Sequence, residues 1–273
     1  MIMRRPIIAI LTDFGTSDHY VASMKGVVLG VCPDATVVDI SHDVAPHDVL
    51  AGALLIESCW RDFPPGTVVL GVVDPGVGSS RRALAAEGGG LRFVGPDNGL
   101  FSLVWRDTPD LRVVEVADCR RARADSGRTF EGRDRFAPAA ARLANGVALE
   151  TLGPPVEQTI RLSLPTARIG RLRMDGEIIA IDRFGNLVTN LGGDQIGRWA
   201  GTAGVRVSLG RRRIGEVVGT YADVAPGAAC AIIGSTGRLE IAVREGNAER
   251  LLRVRRGGRV AVERVGRRRT QGR

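Results

Sequence analysis

A carboxylate and a guanidinium stand seven positions apart just after an apolar run. Asp74 follows the segment Thr67–Val73, a Pro-Gly-Val-Gly turn comes next, and Arg81 ends the motif. In open α/β sheets, ligands bind at the carboxyl ends of the strands, where connecting turns carry functional groups. The carboxylate of Asp74 and the guanidinium of Arg81 are therefore candidates for binding a ligand or for catalysis. An ordinary ion pair within a tight turn is the alternative interpretation.

Polar residues also follow the two preceding apolar runs. Asp13 follows Pro6–Leu11, and His42-Asp43 follows Thr36–Ile40. Right-handed crossover connections place the carboxyl ends of parallel strands on one edge of a sheet. We therefore expect these groups and Asp74 to converge on a single cleft.

The elements that must position these groups alternate between strand and helix. Besides the three runs above, the sequence predicts a hairpin (Ala83–Glu87 and Leu91–Val94), a strand (Val113–Val116), and helices at Ser17–Val31, with Ser17 as N-cap, Asp48–Trp60 and Gly132–Ala144. Short buried strands separated by helices favour an α/β domain with a mainly parallel sheet and crossover helices. The segment 129–134 then enters a helix, where backbone N–H groups are free to bind a ligand.

The pattern changes after Gly153-Pro-Pro155. Five short apolar segments separated by glycine-rich turns follow: Gly176–Ile181, Val205–Leu209, Ala229–Ile233, Leu239–Val243 and Arg259–Val265. This pattern is typical of a small antiparallel barrel or sandwich. We predict an α/β domain over residues 1–160 carrying the catalytic residues, a smaller all-β barrel over 170–266, and a basic tail over 267–273.

Composition is that of an ordinary globular protein, with 44% apolar residues in 273. No apolar run approaches the roughly 18 residues that cross a bilayer, and we expect a cytoplasmic protein with no membrane partner. The cysteines Cys32, Cys59, Cys119 and Cys230 are widely spaced, which favours buried apolar roles over disulfides or zinc. We predict no metal site, since the few histidines form no helical i, i+4 pair.

The net charge of +8 raises the possibility of a nucleic-acid partner. The cations cluster at 120–123, 211–213, 253–259 and 267–273. These clusters lack the interleaved aromatic residues that stack on bases. We therefore expect no specific nucleic-acid partner.

Six motifs, in order along the chain, resemble those of the S-adenosylmethionine hydroxide adenosyltransferases, relatives of the fluorinase and chlorinase. They are Leu11–Gly15, Val73–Gly78 with Arg81, Gly95–Gly99, Thr129–Asp134, Phe184–Asn186 with Thr189-Asn190, and Ser235–Gly237 with Gly246–Ala248. The resemblance extends from about Ile7 to Val265 and includes both predicted domains. It implies S-adenosylmethionine as substrate, attack of water at C5′, release of adenosine and L-methionine, and no cofactor. It also implies a homotrimer with sites at subunit interfaces.

By position, the resemblance assigns catalysis to Asp74, Arg81 and Glu131. Relatives that use halide carry tyrosine where this chain has Asp74, and a carboxylate repels an incoming anion. Family hydrolases have histidine where this chain has Glu131. Glu131 is accordingly a second group to orient the water or accept its proton. The alternatives are an exposed acid at the helix entry or a substitution that slows turnover.

The remaining positions are implied to bind substrate. Around the ribose and C5′ the resemblance places Asp13, Phe14, His47, Phe130 and Gly132. From the second domain it implies adenine contacts by Phe184 and Asn186, with Tyr221 packing there too, and methionine contacts by Asp182 and Ser235. It also implies a substrate contact by Ala248, and Asp18 of the first domain assists at the amine. Turn-forming or loop residues are the alternative for each. Hydrolysis is thus the main hypothesis, with binding without turnover and, less favoured, halogenation as alternatives.

Overall fold

The structure, a computed structural model, describes residues 5–117 and 129–265. The chain divides between Leu162 and Ser163 into two compact units. Cys119, the arginines of 120–123 and the predicted basic tail lie outside the described residues.

The first unit is built on one six-stranded mixed sheet. Its strands are β1 (Ile7–Thr12), β2 (Thr36–Ser41), β3 (Val68–Val72), β4 (Ala83–Gly88), β5 (Leu91–Pro96) and β6 (Arg112–Glu115). Their order is β2-β1-β3-β5-β4-β6, and the first four are parallel. Because β4 runs antiparallel to both β5 and β6, the sheet is mixed, and the prediction of a mainly parallel sheet fits only part of it.

Helices cover both faces of this sheet. They are α1 (Tyr20–Val31), α2 (Val49–Cys59), α3 (Ser102–Arg106) and α4 (Ala137–Ala144), the last preceded by a π-helical turn at Gly132–Phe136. Alternate residues of β3 serve two cores, since Leu70 packs with α1 and α4 whereas Val69 packs with α2 and α3. Fully buried strand residues explain the continuous apolar runs of the sequence.

The start of α1 differs from the prediction. The helix begins at Tyr20, and its N-cap is His19 rather than Ser17. Gly15, at φ 66°, turns the chain after β1, and its N–H donates to the carbonyl of His42 at 2.8 Å. This turn delays the helix. Asp48, the predicted first residue of the second helix, is the N-cap of α2, and its side chain accepts from the Ala51 N–H at 3.0 Å.

A short segment covers the outer edge of β6. The N–H of Glu115 donates to the Pro154 carbonyl at 2.9 Å, and the N–H of Ala117 donates to the Leu152 carbonyl at 3.0 Å. A Cβ on Gly153 would lie 1.9 Å from the carbonyl oxygen of Glu115, so this approach requires glycine. The segment 152–156 therefore satisfies backbone groups that an open sheet edge would leave unpaired.

The second unit is a closed seven-stranded barrel. Its strands are β8 (Arg173–Ile181), β9 (Leu187–Gly192), β10 (Gly204–Leu209), β11 (Arg212–Val218), β12 (Ala229–Ile233), β13 (Arg238–Val243) and β14 (Arg259–Val265), with the two-residue β7 (Arg168–Ile169) added to β8. Pairing of β14 with both β8 and β10 closes the barrel, and only the β11–β12 pair of these seven strands is parallel. Two helices accompany it, α5 (Gly193–Ala200) and α6 (Ala248–Leu252).

The barrel prediction is right in type but missed β9 and β11. The first half of β11 is exposed and opens on arginines, which gives no apolar signal. In β9, the polar Thr189 is fully buried because its hydroxyl donates to the Leu239 carbonyl at 2.7 Å. A hydrogen bond between residues so far apart in the chain cannot be predicted from the sequence.

Candidate active site

Arg81 joins two buried carboxylates. Its Nε donates to Oδ1 of Asp74 at 2.9 Å, and its Nη2 donates to Oδ2 of the same residue. The same Nη2 donates to Oε2 of Glu131 at 2.5 Å. Because one nitrogen binds both acids, the carboxylates of Asp74 and Glu131 lie side by side. All three side chains are less than one-tenth exposed.

The turn after β3 fixes Asp74 from the other side. The N–H of Gly76 donates to Oδ1 of Asp74 at 3.2 Å. The guanidinium of Arg81 also lies 5.0 Å from the ring centre of Phe136. A bidentate ion pair against an aromatic ring leaves both charged groups little freedom to move.

Glu131 enters the site at the start of the π-helical turn. Only 7% of the residue is exposed, so the interpretation of an exposed acid at a helix entry is wrong. Arg135, four residues on, places Nη1 3.8 Å from Oε1 of Glu131. Arg133, two residues after Glu131, pairs with Asp134, and its Nε donates to Oδ1 at 2.7 Å. Wide helical turns of this kind recur at functional sites.

Asp13 ties the loop after β1 to the loop after β2. Its Oδ2 accepts from the backbone N–H of His47 at 2.8 Å. His47 has φ 67°, a left-handed conformation that costs a residue with a side chain about 1–2 kcal/mol. The hydroxyl of Thr12 and Nδ1 of the buried His42 lie 2.8 Å apart. The two strand ends therefore converge as predicted.

Aromatic side chains collect beside this loop. Phe130 lies 5.9 Å from Phe14 and 5.1 Å from Tyr20, ring centre to ring centre. A Cβ on Gly132 would lie 3.1 Å from Sδ of Met24 and 3.3 Å from the ring of Phe130. The structure thus brings Phe14, Phe130 and Gly132 together. Asp18, by contrast, is exposed and forms no hydrogen bond or ion pair within the residues that the structure describes.

The candidate residues of the barrel centre on the turn 182–186. Oδ1 of Asp182 accepts from the N–H groups of Phe184 and Asn186 at 2.9 and 2.8 Å, and its Oδ2 accepts from the Asn186 side chain at 2.8 Å. Phe184 is 75% exposed, which leaves its ring available to a ligand. The buried Ala248 begins α6, and the neighbouring Glu249 N–H donates to the Gly185 carbonyl at 3.0 Å.

Tyr221 and Ser235 lie on two further turns of the barrel unit, and both are exposed. Burial raises the pKa of the Tyr221 phenol, and the nearby charges of Glu240 and Asp182 add to this shift. The pKa of Glu240 is likewise raised by burial and by the charge of Asp182. Tyr221, Asp182 and Glu240 therefore share one region of the barrel surface.

The sequence interpretation missed four residues around these sites: Tyr20, His42 in its contact with Thr12, Arg135 and Glu240. The i, i+4 spacing of Glu131 and Arg135 could have indicated that pair. Glu240 interrupts an apolar strand, which is a recognisable signal of a special environment.

Within the described ranges, no helix combines the length and apolar character that a bilayer span requires. The same residues include no group of three or more His, Cys, Asp and Glu side chains arranged to hold a metal ion. Cys32 and Cys230 are buried free thiols, and Cys59 is half-buried.

The chain combines a mixed α/β unit, in which Arg81 joins the buried carboxylates of Asp74 and Glu131, with a second unit that is a closed seven-stranded barrel. Residues 8–153 match the family model of the SAM hydroxide adenosyltransferase N-terminal domain, and residues 176–261 match that of the C-terminal domain. The chain belongs to the SAM hydroxide adenosyltransferase family.

Named relatives agree with this assignment. An (R)-S-adenosyl-L-methionine hydrolase of Thermus thermophilus is 41% identical over 256 residues, covering 90% of this chain and 95% of the relative. A fluorinase of an Actinoplanes species is 32% identical, covering 68% of this chain and 72% of the relative. The crystal structure of an uncharacterized conserved protein from Thermotoga maritima superposes with a TM-score of 0.87 at 34% identity, covering 94% of this chain and all (100%) of that one.

Proposed function

We propose that this chain hydrolyses S-adenosyl-L-methionine, with water attacking C5′ and adenosine and L-methionine leaving. Family membership and relatives named as hydrolases over nine-tenths of the chain support the reaction. The observation that carries the mechanism is the binding of Asp74 and Glu131 to one nitrogen of Arg81.

The reaction asks little of the protein beyond alignment and proton removal. A C5′–O bond forms as the C5′–S bond breaks, and its electron pair moves to sulfur, which leaves as a neutral thioether. No acid must protonate this leaving group, and the chemistry needs no cofactor. Asp74 accepts the proton of the attacking water, and Arg81 holds Asp74 in place and stabilises developing hydroxide.

Glu131 takes the place of the histidine of related hydrolases. Arg81 and Arg135 offset its charge, which allows a second carboxylate in a buried site. In our proposal it fixes Arg81 and orients the water. Two carboxylates at the nucleophile position disfavour halide, whose negative charge they repel.

The other candidate residues bind the substrate in this proposal. Asp13 accepts from the ribose hydroxyls, and His47, Phe14, Phe130 and Gly132 border the ribose and C5′. In the barrel, Phe184, Asn186, Tyr221 and Ala248 contact adenine, and Asp182 and Ser235 contact the methionine portion, with Asp18 near the amine. We further propose a cytoplasmic homotrimer whose sites form at subunit interfaces, with the α/β unit supplying catalysis.

The test is incubation of purified protein with S-adenosylmethionine, with and without excess chloride, and quantification of products by liquid chromatography and mass spectrometry. We expect equal amounts of adenosine and methionine, no chlorinated nucleoside, and a loss of about 10²–10⁴-fold in rate for Asp74→Asn. Ligand that binds but stays intact would instead establish a binding protein. If a Glu131→His variant then gained turnover, Glu131 would be the cause of the missing activity in the parent protein.

A further inference from the structure

Glu240 is a buried acid on the outer face of the barrel. Its neighbours in β13, Leu239 and Ile241, belong to the barrel core, so alternation directs Glu240 outward. An outward-facing glutamate ordinarily extends into solvent, yet only 7% of this residue is exposed. Its carboxylate lies against the turn at Gly234, where a Cβ would come within 1.9 Å of Oε1.

The carboxylate of Glu240 has no hydrogen bond or ion pair within the residues that the structure describes. The charge that acts on it, Asp182, is also negative. Burying an acid without a donor or cation is unfavourable. Such a position is expected where a ligand supplies the missing positive group.

Asp182 makes a clear contrast with Glu240. Its oxygens accept three hydrogen bonds from the turn 182–186, which engage both Oδ1 and Oδ2. A carboxylate offers about four acceptor positions, so the turn takes most of those of Asp182 and leaves about one for a ligand. Asp182 builds the turn, and Glu240 keeps its acceptors open.

The surroundings of Glu240 suit an α-amino acid. An amino acid carries its ammonium and its carboxylate on the same carbon, so their binding groups must be close together. Glu240 lies against Gly234, and the next residue, Ser235, is exposed with a hydroxyl able to donate to a carboxylate.

We infer that Glu240 binds the α-ammonium group of the methionine portion of the substrate beside Asp182, which also holds the turn 182–186 in place. This inference rests on the proposed function and deepens it by naming an acid that the sequence did not single out. The bond is a charge-assisted hydrogen bond to an ammonium, which is among the stronger polar contacts.

The experiment compares Glu240→Gln with the matched control Glu216→Gln, an exposed acid of β11. KM for S-adenosylmethionine is measured by adenosine release, and Kd values for L-methionine and 5′-methylthioadenosine are measured by calorimetry. The second nucleoside has the adenosine thioether but lacks the ammonium. We expect Glu240→Gln to raise KM and the methionine Kd about tenfold or more, with the 5′-methylthioadenosine Kd within about twofold of the parent.

A structural role for Glu240 would give other results. Removing an unpaired buried charge should stabilise the barrel, so weaker binding together with a higher melting temperature supports the ligand role. Equal KM in both variants, or an equal loss for 5′-methylthioadenosine, would overturn it. A changed oligomeric state with unchanged methionine Kd would also overturn it, because a cation of a second copy would then be the partner.

The two proposals can fail separately. Intact S-adenosylmethionine after incubation with the parent protein would defeat the proposed reaction. Calorimetry would still compare S-adenosylmethionine and L-methionine binding in the parent and in Glu240→Gln. A tenfold loss there supports the ammonium site without turnover, and no loss overturns it.

Discussion

At the scale of single residues, Arg81 is the group whose geometry is least replaceable. It uses Nε and Nη2 on Asp74 and reuses Nη2 for Glu131. A lysine ammonium carries the same charge but cannot reproduce this planar fork. A positive charge at this position is therefore not enough to hold both carboxylates, because the directions of the N–H groups also matter.

We expect Arg81→Lys to lower kcat by about 10²–10³-fold because the two acids lose their common positioning group. Steady-state kinetics with S-adenosylmethionine checks this. Arg82→Lys is the control, since Arg82 binds Asp97, with Nε to Oδ2 at 2.9 Å, instead of the catalytic acids. The Arg82→Lys control should change the melting temperature more than it changes kcat. Parental kcat in Arg81→Lys would show that charge alone suffices.

Cys59 provides a second prediction at this scale. Burial, with a smaller contribution from Asp62, raises the pKa of its thiol to about 11. The thiol therefore stays protonated at pH 8, where the thiolate is the reactive species. Peptide mass spectrometry should find Cys59 labelled by iodoacetamide far more slowly in the folded protein than in urea. Equal rates in the two states would contradict the burial argument.

At the scale of elements, the loop after β2 combines a strained backbone with a candidate substrate contact. Asp13 holds the His47 N–H, and His47 is left-handed. Glycine adopts this conformation without strain, whereas a β-branched residue is strongly disfavoured there.

His47→Gly should therefore keep the melting temperature near or above that of the parent. His47→Val should lower the melting temperature, because it reduces the free energy of unfolding by about 1–2 kcal/mol. If the ring borders the substrate, KM should rise in His47→Gly despite its intact fold. Thermal unfolding and steady-state kinetics on both variants separate the two effects. An unchanged KM in His47→Gly would remove His47 from the binding site.

Helices and strands of this chain were predictable from the sequence where a local apolar pattern indicates them. The strands described in the first unit lie where apolar runs predicted them. Four of them, β1, β3, β4 and β5, are almost fully buried in the sheet. The burial of Glu131 was not predictable, because Arg81, its partner, is 50 positions away in the chain. The sequence did not predict β11 because its first half is exposed and rich in arginine. Pairing with its neighbours in the closed barrel, rather than apolar content, makes this segment a strand.

The same distinction applies to the candidate site. Asp74 and Arg81 were predictable because they are only seven positions apart, across a glycine turn. Glu240 required knowledge of which loops cover β13. The sequence thus predicted site residues that one turn connects, whereas contacts between residues distant in the chain required the structure.

At the scale of the whole molecule, the buried acid of the barrel should make stability depend on pH. Burial and Asp182 raise the pKa of Glu240, so the folded protein retains a proton that the unfolded chain releases. As pH rises from the ordinary glutamate range near ~4.3 through the raised folded pKa, the folded state loses stability. Below that range Glu240 is protonated in both states and the penalty vanishes.

Glu240→Gln should therefore melt higher than the parent at pH 7, and this difference should shrink toward zero near pH 4 (about the unfolded pKa). Calorimetric melting curves across this interval provide the measurement. Glu216→Gln, which changes an exposed charge, should show no comparable trend. A difference that grows toward acid would have the wrong sign for a raised pKa.

The segment that covers β6 determines where this chain can be shortened. A fragment ending before Leu152 would bare the N–H groups of Glu115 and Ala117, and a bare strand recruits strands from other molecules. A fragment ending at Leu162, where the two units divide, keeps that protection. Light scattering should find the longer fragment monodisperse and the shorter one self-associating. The close backbone approach at Gly153 thus protects an isolated first unit against self-association.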